Sequence, residues 1–428
     1  METIRIGLMG LGTVGSGVVR ILKDHQEDLI RQTGSSIVIN KVLVQNVGKA
    51  RDSDIAQELL TTDPLSIVND PEIDVIVEVM GGIVQTKSLI ERALKNGKHI
   101  VTANKDLMAL HGAELLAIAA ENGCDVFYEA SVAGGIPIIR ALTESFSSDR
   151  ITRMFGIVNG TTNYILTKMS QEGASYNDVL AEAQGLGYAE ADPTSDVEGL
   201  DAARKMTILA TLGFRMNVSL SDVEAKGISS VTKEDILYGK RLGYELKLLG
   251  VAEREGESVS VSVEPAMVRT SHPLASVNGV FNAVYVYGEA VGETMFYGPG
   301  AGGLPTATSV VADLVAVVKN LRLNVNGQRV SRPYNEKKMR PDTSIHGKYF
   351  LLLHVDDKAG VLAQITQLFA AKEVSLESVL QQPNADQANA EIIIITHDTN
   401  QAAMKTVIRE LGSMEVVNEV KSVYRVIG

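Results

Sequence analysis

The sequence TIRIGLMGLGTVGSGVVRILKDH, residues 3–25, decides the fold of the amino-terminal part of the chain. A short apolar strand, Thr3–Met9, leads directly into the turn GLGTVG, and the pattern of an apolar helix follows. Glycines at Gly10, Gly12 and Gly15 permit a tight turn, close approach of backbone N–H groups to a pyrophosphate, and close packing of helix on strand. The spacing predicts a dinucleotide site with the helix amino terminus facing the phosphates. A glycine-rich turn that binds nothing is the alternative.

The next apolar strand, IVINKVLVQN, bears on the choice of cofactor because of how it ends. In a domain that prefers NAD, this strand usually ends in an acidic residue that binds the ribose hydroxyls. Here it ends in Gln45 and Asn46, and the cations Lys49 and Arg51 follow. Two cations without a carboxylate suit a 2′-phosphate, so the sequence favours NADPH over NADH. Solvated loop charges are the other explanation for Lys49 and Arg51.

Later strands place further residues at the same edge of a parallel sheet. The strand Ile73–Gly82 ends in a double glycine, a helix follows from Thr86 to Asn96, and the strand in GKHIVTANKDLM ends at Lys105. Ligands of open parallel sheets lie beyond the carboxyl ends of the strands, so we expect Lys105 on the cofactor side. A strand with a glycine-rich bend, CDVFYEASVAGGIPIIRAL, begins at Cys124.

The pattern changes after this bend, which predicts an α/β protein with several domains. A Rossmann-type nucleotide-binding domain takes residues 1–137 plus about 305–325, where a long apolar helix returns to it. An inserted α+β domain, 138–304, is expected to bind the substrate and to serve catalysis and dimerisation. A polar linker with solvated charges, 326–347, leads to a ferredoxin-like βαββαβ unit at 348–428.

The acid-rich segment GLGYAEADPTSDVEGLDAARK, residues 185–205, is the predicted catalytic centre. Drawn as a helix from about Gly199, it places Asp201 and Lys205 in one sector with apolar residues. Charge on such a face is costly, and Glu190 and other acids crowd the preceding loop, which indicates chemistry. A surface ion pair on a helix with a slightly different start is the alternative.

Composition narrows the range of partners. The chain has 428 residues, 45% hydrophobic and 21% charged, and its net charge of −12 argues against nucleic acid or an anionic membrane as partner. No window of about eighteen apolar residues is evident, and no targeting segment precedes the first strand, so we expect a cytoplasmic protein with a small-molecule substrate. The single cysteine, Cys124, is expected in the core.

The chain resembles the homoserine dehydrogenase family over its whole length, including a carboxyl-terminal ACT regulatory domain. The motifs that carry the resemblance are GLGTVG from Gly10, TANK ending at Lys105, YEASVAGGIP from Tyr128, GTTNYI from Gly160, and the acidic segment ending at Lys205. The resemblance implies reversible NAD(P)H-dependent reduction of L-aspartate 4-semialdehyde to L-homoserine, a step in threonine, methionine and isoleucine biosynthesis.

Residue roles follow from the same resemblance. The implied catalytic residues are Lys205, Lys105 and Asp201, and the implied substrate-binding residues are Glu190, Asp201 and Tyr188. The predicted cofactor-binding residues are Gly10, Gly12, Thr13, Val14, Gly15, Lys49, Arg51, Gly81, Lys105, Gly302 and Gly303. A structural sodium ion would be held by Glu129 with the carbonyls of Val132, Gly134 and Ile136. The residues alone equally allow Glu129 to be a buried acid satisfied by hydrogen bonds.

The carboxyl-terminal unit is the predicted regulatory element. Its segment DDKAGVLAQIT, Asp356–Thr366, resembles ACT domains, and Gly360 leaves a helix amino terminus open to an amino acid, for which threonine is the natural candidate. A homodimer or homotetramer is expected, and a dimerisation module without a ligand is the alternative. Two rival functions are a cysteine-dependent aspartate-semialdehyde dehydrogenase and a non-catalytic sensor of nucleotide and amino acid.

Overall fold

The computed structural model describes residues 2–49, 55–328, 333–383 and 389–428. The chain divides into two compact units. The first unit consists of Met1–Met154, Arg204–Val223 and Asn282–Lys337, and the second of Phe155–Ala203, Glu224–Phe281 and Lys338–Gly428.

The first unit opens with the alternation of strands and helices that the glycine turn predicts. Its elements are β1 (Glu2–Met9), α1 (Thr13–Asp24), α2 (Gln26–Thr33), β2 (Ser35–Leu43), β3 (Leu60–Thr61), α3 (Leu65–Val68), β4 (Val75–Glu78), α4 (Val84–Lys95), β5 (His99–Thr102), α5 (Lys105–Glu121) and β6 (Val126–Phe127). All six strands are parallel, in the order β3-β2-β1-β4-β5-β6. This order confirms the Rossmann-type sheet, which reverses direction of winding between β1 and β4.

Two local predictions in this unit need correction. The strand from Cys124 is shorter than its apolar pattern indicates: β6 has two residues, and a 3-10 turn at Glu129–Ser131 follows it. Positive φ angles of 53° at Ala133 and 50° at Gly134 then bend the chain out of extended geometry. Lys105 is the first residue of α5 rather than the end of a strand.

The middle of the chain contributes to both units. Its elements are α6 (Ile138–Arg140), β7 (Ile151–Ile157), α7 (Gly160–Glu172), α8 (Tyr176–Gly185), α9 (Thr194–Val197), α10 (Leu200–Phe214), β8 (Val223–Ala225), α11 (Lys233–Arg241), β9 (Tyr244–Glu255), β10 (Ser258–Arg269), β11 (Phe281–Gly288), β12 (Gly292–Pro299) and α12 (Gly303–Leu323). In the second unit, β9 and β10 pair as a long antiparallel hairpin from Tyr244 to Arg269.

The long helix α12 belongs to the core of the nucleotide-binding fold. By length and composition it is apolar enough to cross a membrane, contrary to the expectation that no such window exists. Its apolar side, including Val310, Leu314 and Val317, is buried in one cluster with Val18 of α1 and strands of the parallel sheet. Its apolar composition therefore reflects a covered core position.

The carboxyl-terminal elements confirm the predicted ACT unit. They are β13 (His346–Asp356), α13 (Val361–Ala371), β14 (Leu376–Pro383), β15 (Asn389–Thr396), β16 (Thr399–Asn400), α14 (Gln401–Leu411) and β17 (Val417–Ile427). The four main strands are antiparallel in the order β17-β13-β15-β14, and buried residues such as Leu351, Ile365 and Val407 form a separate core.

Within the second unit, the ACT sheet continues directly into the sheet of the inserted domain. Strand β17 pairs in parallel with β10, with Ala266 opposite Arg425, Met267 opposite Val426, and Val268 opposite Ile427. Because β10 pairs with β9, and β17 with β13, in antiparallel orientation, the resulting sheet is mixed.

Charged residues of the linker before the ACT unit form ion pairs, although the sequence predicted solvated charges there. Lys337 bonds Asp222 at 2.5 Å in the first unit. Arg340 bonds Glu255 at 2.7 Å in the second, and only 9% of the Arg340 side chain is exposed.

Candidate active site

The glycine turn has the geometry expected of a phosphate-binding turn. Gly10 has a φ of 109°, and a Cβ atom there would lie 2.9 Å from the backbone of Met80. A Cβ atom on Gly15 would lie 2.2 Å from the carbonyl oxygen of Gly10. Gly12, in contrast, has open space where its Cβ would be, directly before α1. The turn is thus closed on the protein side and open at the helix amino terminus, where backbone N–H groups lack intrahelical partners.

Other predicted cofactor residues lie around this turn in the first unit. Thr13 and Val14 begin α1, and a Cβ atom on Gly303 would lie 3.1 Å from Thr13, so the start of α12 lies directly against the start of α1. Gly302 caps α12, and Gly81 follows β4. Lys49 is exposed after β2, whereas Arg51 lies outside the described residues.

Lys105 stands at a helix start held by a neighbouring strand. The side chain of Asn104 accepts a hydrogen bond from the backbone N–H of Leu107 at 3.0 Å and so caps α5. The backbone N–H of Asn104 donates to the hydroxyl of Thr102 at 3.0 Å. Asp106, next along, forms an ion pair with Arg204 at 2.7 Å. These bonds fix the base of the Lys105 side chain.

Helix α10 confirms the burial of charge that its sequence predicted. Asp201 is 2% exposed and Lys205 is 9% exposed, one turn apart on this helix. Thr207 and Ala210, further along this helix, are buried as well. The helix is therefore covered on more than its apolar side, and a surface ion pair is excluded for Asp201 and Lys205.

Asn159, which directly precedes α7, is a functional candidate that sequence reasoning missed, because it contacts two acids of the segment 185–205. The side-chain amide of Asn159 donates to Asp201 Oδ2 at 2.8 Å and to Asp196 Oδ1 at 2.7 Å, while its oxygen accepts from the backbone of Thr162 and caps α7. The motif GTTNYI begins directly after Asn159, but its pattern does not indicate which acids Asn159 contacts.

The predicted substrate residues Glu190 and Tyr188 both have exposed side chains, 44% exposed for Tyr188. Their backbone is held: the hydroxyl of Thr161 donates to the carbonyl of Tyr188 at 2.6 Å, and the amide of Gln184 donates to that of Glu190 at 3.0 Å. The neighbouring Asp192 accepts the backbone N–H of Thr194, the first residue of α9, at 3.1 Å. A free carboxylate on a fixed backbone suits binding of a substrate ammonium group.

The residues proposed for a sodium ion lie on one buried bend. Glu129 is 4% exposed, and its carboxylate accepts the backbone N–H groups of Ile139 and Arg140 at 2.7 and 2.8 Å. The carbonyl of Gly134 accepts from the Ser309 hydroxyl at 2.7 Å and retains a second lone pair. Val132 and Ile136, whose carbonyls complete the predicted set, are also buried, with exposed fractions of 0% and 2%.

A second buried carboxylate, Asp313, lies beside this bend. Asp313 accepts the backbone N–H of Glu129 at 2.8 Å and bonds Arg140 at 2.8 Å. Burial, and secondarily the charge of Glu129, raises the pKa of Asp313 to about 7. Within the described ranges, no group of three or more His, Cys, Asp or Glu side chains is arranged to hold a metal ion. A carboxylate with several carbonyls is nevertheless the donor chemistry that hard cations use.

Cys124 does not have the properties of a nucleophile. It is 2% exposed, and burial raises the pKa of its thiol to about 11. A thiol that stays protonated at neutral pH cannot provide the thiolate that an aspartate-semialdehyde dehydrogenase requires.

Family models match three parts of the chain. The NAD-binding domain of homoserine dehydrogenase matches residues 10–129, homoserine dehydrogenase matches residues 137–315, and the ACT domain matches residues 349–415.

Whole proteins and solved structures match as well. A homoserine dehydrogenase of Bacillus subtilis is 58% identical, covering 100% of this chain and 99% of that protein. The crystal structure of a homoserine dehydrogenase from Thiobacillus denitrificans superposes with a TM-score of 0.94 at 40% identity, over 100% of this chain and 98% of that one. A hyperthermophilic archaeal homoserine dehydrogenase in complex with NADPH matches with a TM-score of 0.62 at 27% identity, over 74% of this chain and 98% of that one.

Proposed function

The chain belongs to the homoserine dehydrogenase family, and from that premise we propose that it reduces L-aspartate 4-semialdehyde reversibly to L-homoserine with NADPH. The family consists of oxidoreductases that act on a CH–OH group with a nicotinamide cofactor. The observation that carries the proposal for this chain is the burial of Asp201 and Lys205 one turn apart on α10. Such a pair is costly to bury and is therefore expected to serve chemistry.

We propose that a lysine donates the proton that the substrate oxygen receives during reduction. When bound, the nicotinamide supplies or accepts the hydride. The substrate oxygen gains negative charge during reduction, so it needs a cation or proton donor within hydrogen-bond distance. Lys205 takes this role, with Lys105 as the second cation, and Asp201 orients the Lys205 ammonium group and the substrate. Glu190 binds the substrate's ammonium group, with Tyr188 beside it.

The preference for NADPH rests on the charge that follows β2. This strand lacks a terminal carboxylate, and Lys49 is exposed after it, which suits a 2′-phosphate. The archaeal relative whose solved structure contains NADPH supports the same choice. The phosphates themselves would bind at the open side of Gly12 and the first turn of α1.

We further propose a structural sodium ion held by the bend from Glu129 to Ile136, through the carbonyls of Val132, Gly134 and Ile136. The positive φ of Ala133 and Gly134 turns this backbone, and the burial of the bend supports a structural rather than a catalytic role.

The ACT unit is proposed to bind an amino-acid effector, threonine, at the amino terminus of α13, where Gly360 has a φ of 93°. One edge of its sheet is covered by the pairing of β17 with β10, which leaves β14 as the edge on which a second copy would pair in a homodimer or homotetramer. The feedback would regulate a cytoplasmic step of threonine, methionine and isoleucine biosynthesis.

The test of the proposal is a spectrophotometric assay on the purified chain. Wild type should oxidise homoserine with NADP and reduce aspartate semialdehyde with NADPH; absence of turnover would favour a non-catalytic sensor. Lys205→Ala should lower kcat by roughly two orders of magnitude or more, at unchanged NADPH affinity. Lys168→Ala, which removes a half-buried lysine paired with Glu172, is the matched control and should retain activity.

A further inference from the structure

The buried carboxylate of Glu78 is not used by the proposed chemistry, although it lies at the carboxyl edge of the parallel sheet. Glu78 is the last residue of β4 and is 0% exposed. One carboxylate oxygen accepts the backbone N–H groups of Met80 and Gly81 at 2.9 and 3.0 Å. The other accepts the hydroxyl of Thr102 at 2.6 Å. All three donors are neutral, so no neighbouring cation in this set offsets the burial of the charge.

The hydrogen bonds of this carboxylate extend in two directions. On one side they hold the loop Met80–Gly82, which contains the predicted cofactor residue Gly81. On the other side, Thr102 lies opposite Glu78 in the β4–β5 pairing and accepts the backbone N–H of Asn104 at 3.0 Å. Asn104 also connects back to the loop, because its side-chain amide donates to the carbonyl of Gly82 at 2.7 Å.

The same Asn104 caps α5, whose first residue is Lys105. A displacement of the Met80–Gly82 loop is therefore transmitted to the helix start that carries Lys105, since the Glu78–Thr102–Asn104 hydrogen bonds hold both segments. A carboxylate bonded at both oxygens is a rigid support, and rigid support of reacting groups determines their efficiency.

We propose that Glu78 is a positioning residue that fixes the cofactor loop and the amino end of α5 as one unit. The role of Lys105 in this inference rests on the proposed function, whereas the role of Gly81 requires only nicotinamide binding. Burial is the larger effect and raises the pKa of Glu78, against the bonds from Thr102, Gly81 and Met80, which lower it.

The first experiment measures NADPH affinity by fluorescence without substrate, and kcat separately. Glu78→Ala should weaken NADPH binding about tenfold and lower kcat by a similar factor, and Glu78→Gln, which keeps an acceptor of the same size, should restore most of both. Asp74→Ala is the matched control: Asp74 accepts the backbone N–H of Arg5 at 2.8 Å at the opposite end of β4. It should lower the melting temperature without changing the Kd for NADPH.

A second variant tests the connection between the Met80–Gly82 loop and the amino end of α5. Thr102→Val removes the hydroxyl but leaves the bonds from Glu78 to Met80 and Gly81. It should lower kcat severalfold, increase amide hydrogen exchange at Leu107, and leave the Kd for NADPH near wild type. Unchanged exchange and kcat in Thr102→Val would overturn the coupling. Equal losses of NADPH affinity in Glu78→Ala and Asp74→Ala, or none in Glu78→Ala, would overturn the positioning role. Failure of wild type to oxidise homoserine would instead refute the proposed function. The NADPH affinities of the variants would still decide whether Glu78 positions the cofactor loop.

Discussion

The side-chain amide of Asn159 lies 2.8 Å from Asp201 Oδ2 and donates a hydrogen bond to it. The second amide hydrogen goes to Asp196 at 2.7 Å, so one neutral side chain holds two carboxylates in the acid-rich region. Because Asn159 is 4% exposed and also caps α7, burial and the cap fix the orientation of its side chain. The position of Asp201 thus depends on a residue 42 positions earlier in the chain.

The variant Asn159→Ser should therefore impair catalysis more than folding. Serine retains an oxygen that can cap α7 but loses both donors, and a hydrogen bond to a charged group contributes about 1.5–3 kcal/mol. We expect kcat/KM for homoserine to fall about tenfold to a hundredfold, with unchanged NADPH affinity. Ser175→Ala removes the cap of α8 without touching either acid and serves as control. Equal kinetic losses in the two variants would assign the effect to helix capping alone.

Removal of the Glu190 charge should affect substrate binding specifically. Glu190→Gln keeps the size of the side chain but loses the charge that would pair with the substrate's ammonium group. We expect KM for homoserine to rise about tenfold or more, with a smaller change in kcat and none in the Kd for NADPH.

The control for this prediction is Glu182→Gln. Glu182 is exposed on the adjacent helix α8 and pairs with Lys168 at 3.2 Å and Tyr164 at 2.7 Å. The KM of the Glu182→Gln variant for homoserine should equal that of wild type. A Glu190→Gln enzyme with normal KM would remove Glu190 from the substrate site.

The extent to which the sequence predicts this molecule depends on how local each feature is. The turn at Gly10 and the burial of Lys205 follow from short-range patterns, since a glycine spacing and a helical period are contained in one segment. The glycine-rich bend was expected, but the positive φ of Ala133 within it was not, because this conformation is not a property of alanine and is imposed by the surrounding fold. The pairing of β17 with β10 and the bond from Asn159 to Asp201 join distant segments, and no local pattern encodes such contacts.

Lys247 should make stability depend on pH in the alkaline range. It is 2% exposed on β9, its ammonium group bonds the carbonyl of Val277 at 2.6 Å and Asn278 at 3.0 Å, and burial lowers its pKa to about 8. In the unfolded chain its pKa is about 10.4. Between these values the unfolded state binds the proton and the folded state does not, so the contribution to stability rises from about pH 8 to pH 10.

The measurement is urea unfolding of wild type and Lys247→Met at several pH values from 7 to 10. A neutral amine still has two hydrogens for its two acceptors, whereas methionine has none. The difference in unfolding free energy should therefore grow in favour of wild type by roughly 2–3 kcal/mol over this range. Other titrating groups cancel in the difference, and a constant difference would show that Lys247 does not change its protonation.

The pairing of β17 with β10 determines how regulation by the ACT unit has to be tested. Deletion after Gly347 would strip β17 from the buried β10 residues Ala266–Val268, which are all 0% exposed. An uncovered apolar strand edge promotes aggregation, so we expect the truncated chain to lose solubility and activity whether or not the ACT unit binds an effector. Loss of threonine inhibition in that form would have no bearing on the binding site.

A point variant in the full chain gives the answer that truncation cannot. Gly360→Val places a branched side chain at a φ of 93° before α13, where the proposed effector would approach the backbone. We expect the threonine concentration needed for inhibition to rise about tenfold or more. Basal kcat should be retained, because the strain is confined to one surface turn. Gly412→Ala, at a φ of −66° after α14, is the control and should remain inhibited. Full threonine sensitivity in Gly360→Val would exclude the amino terminus of α13 as the effector site.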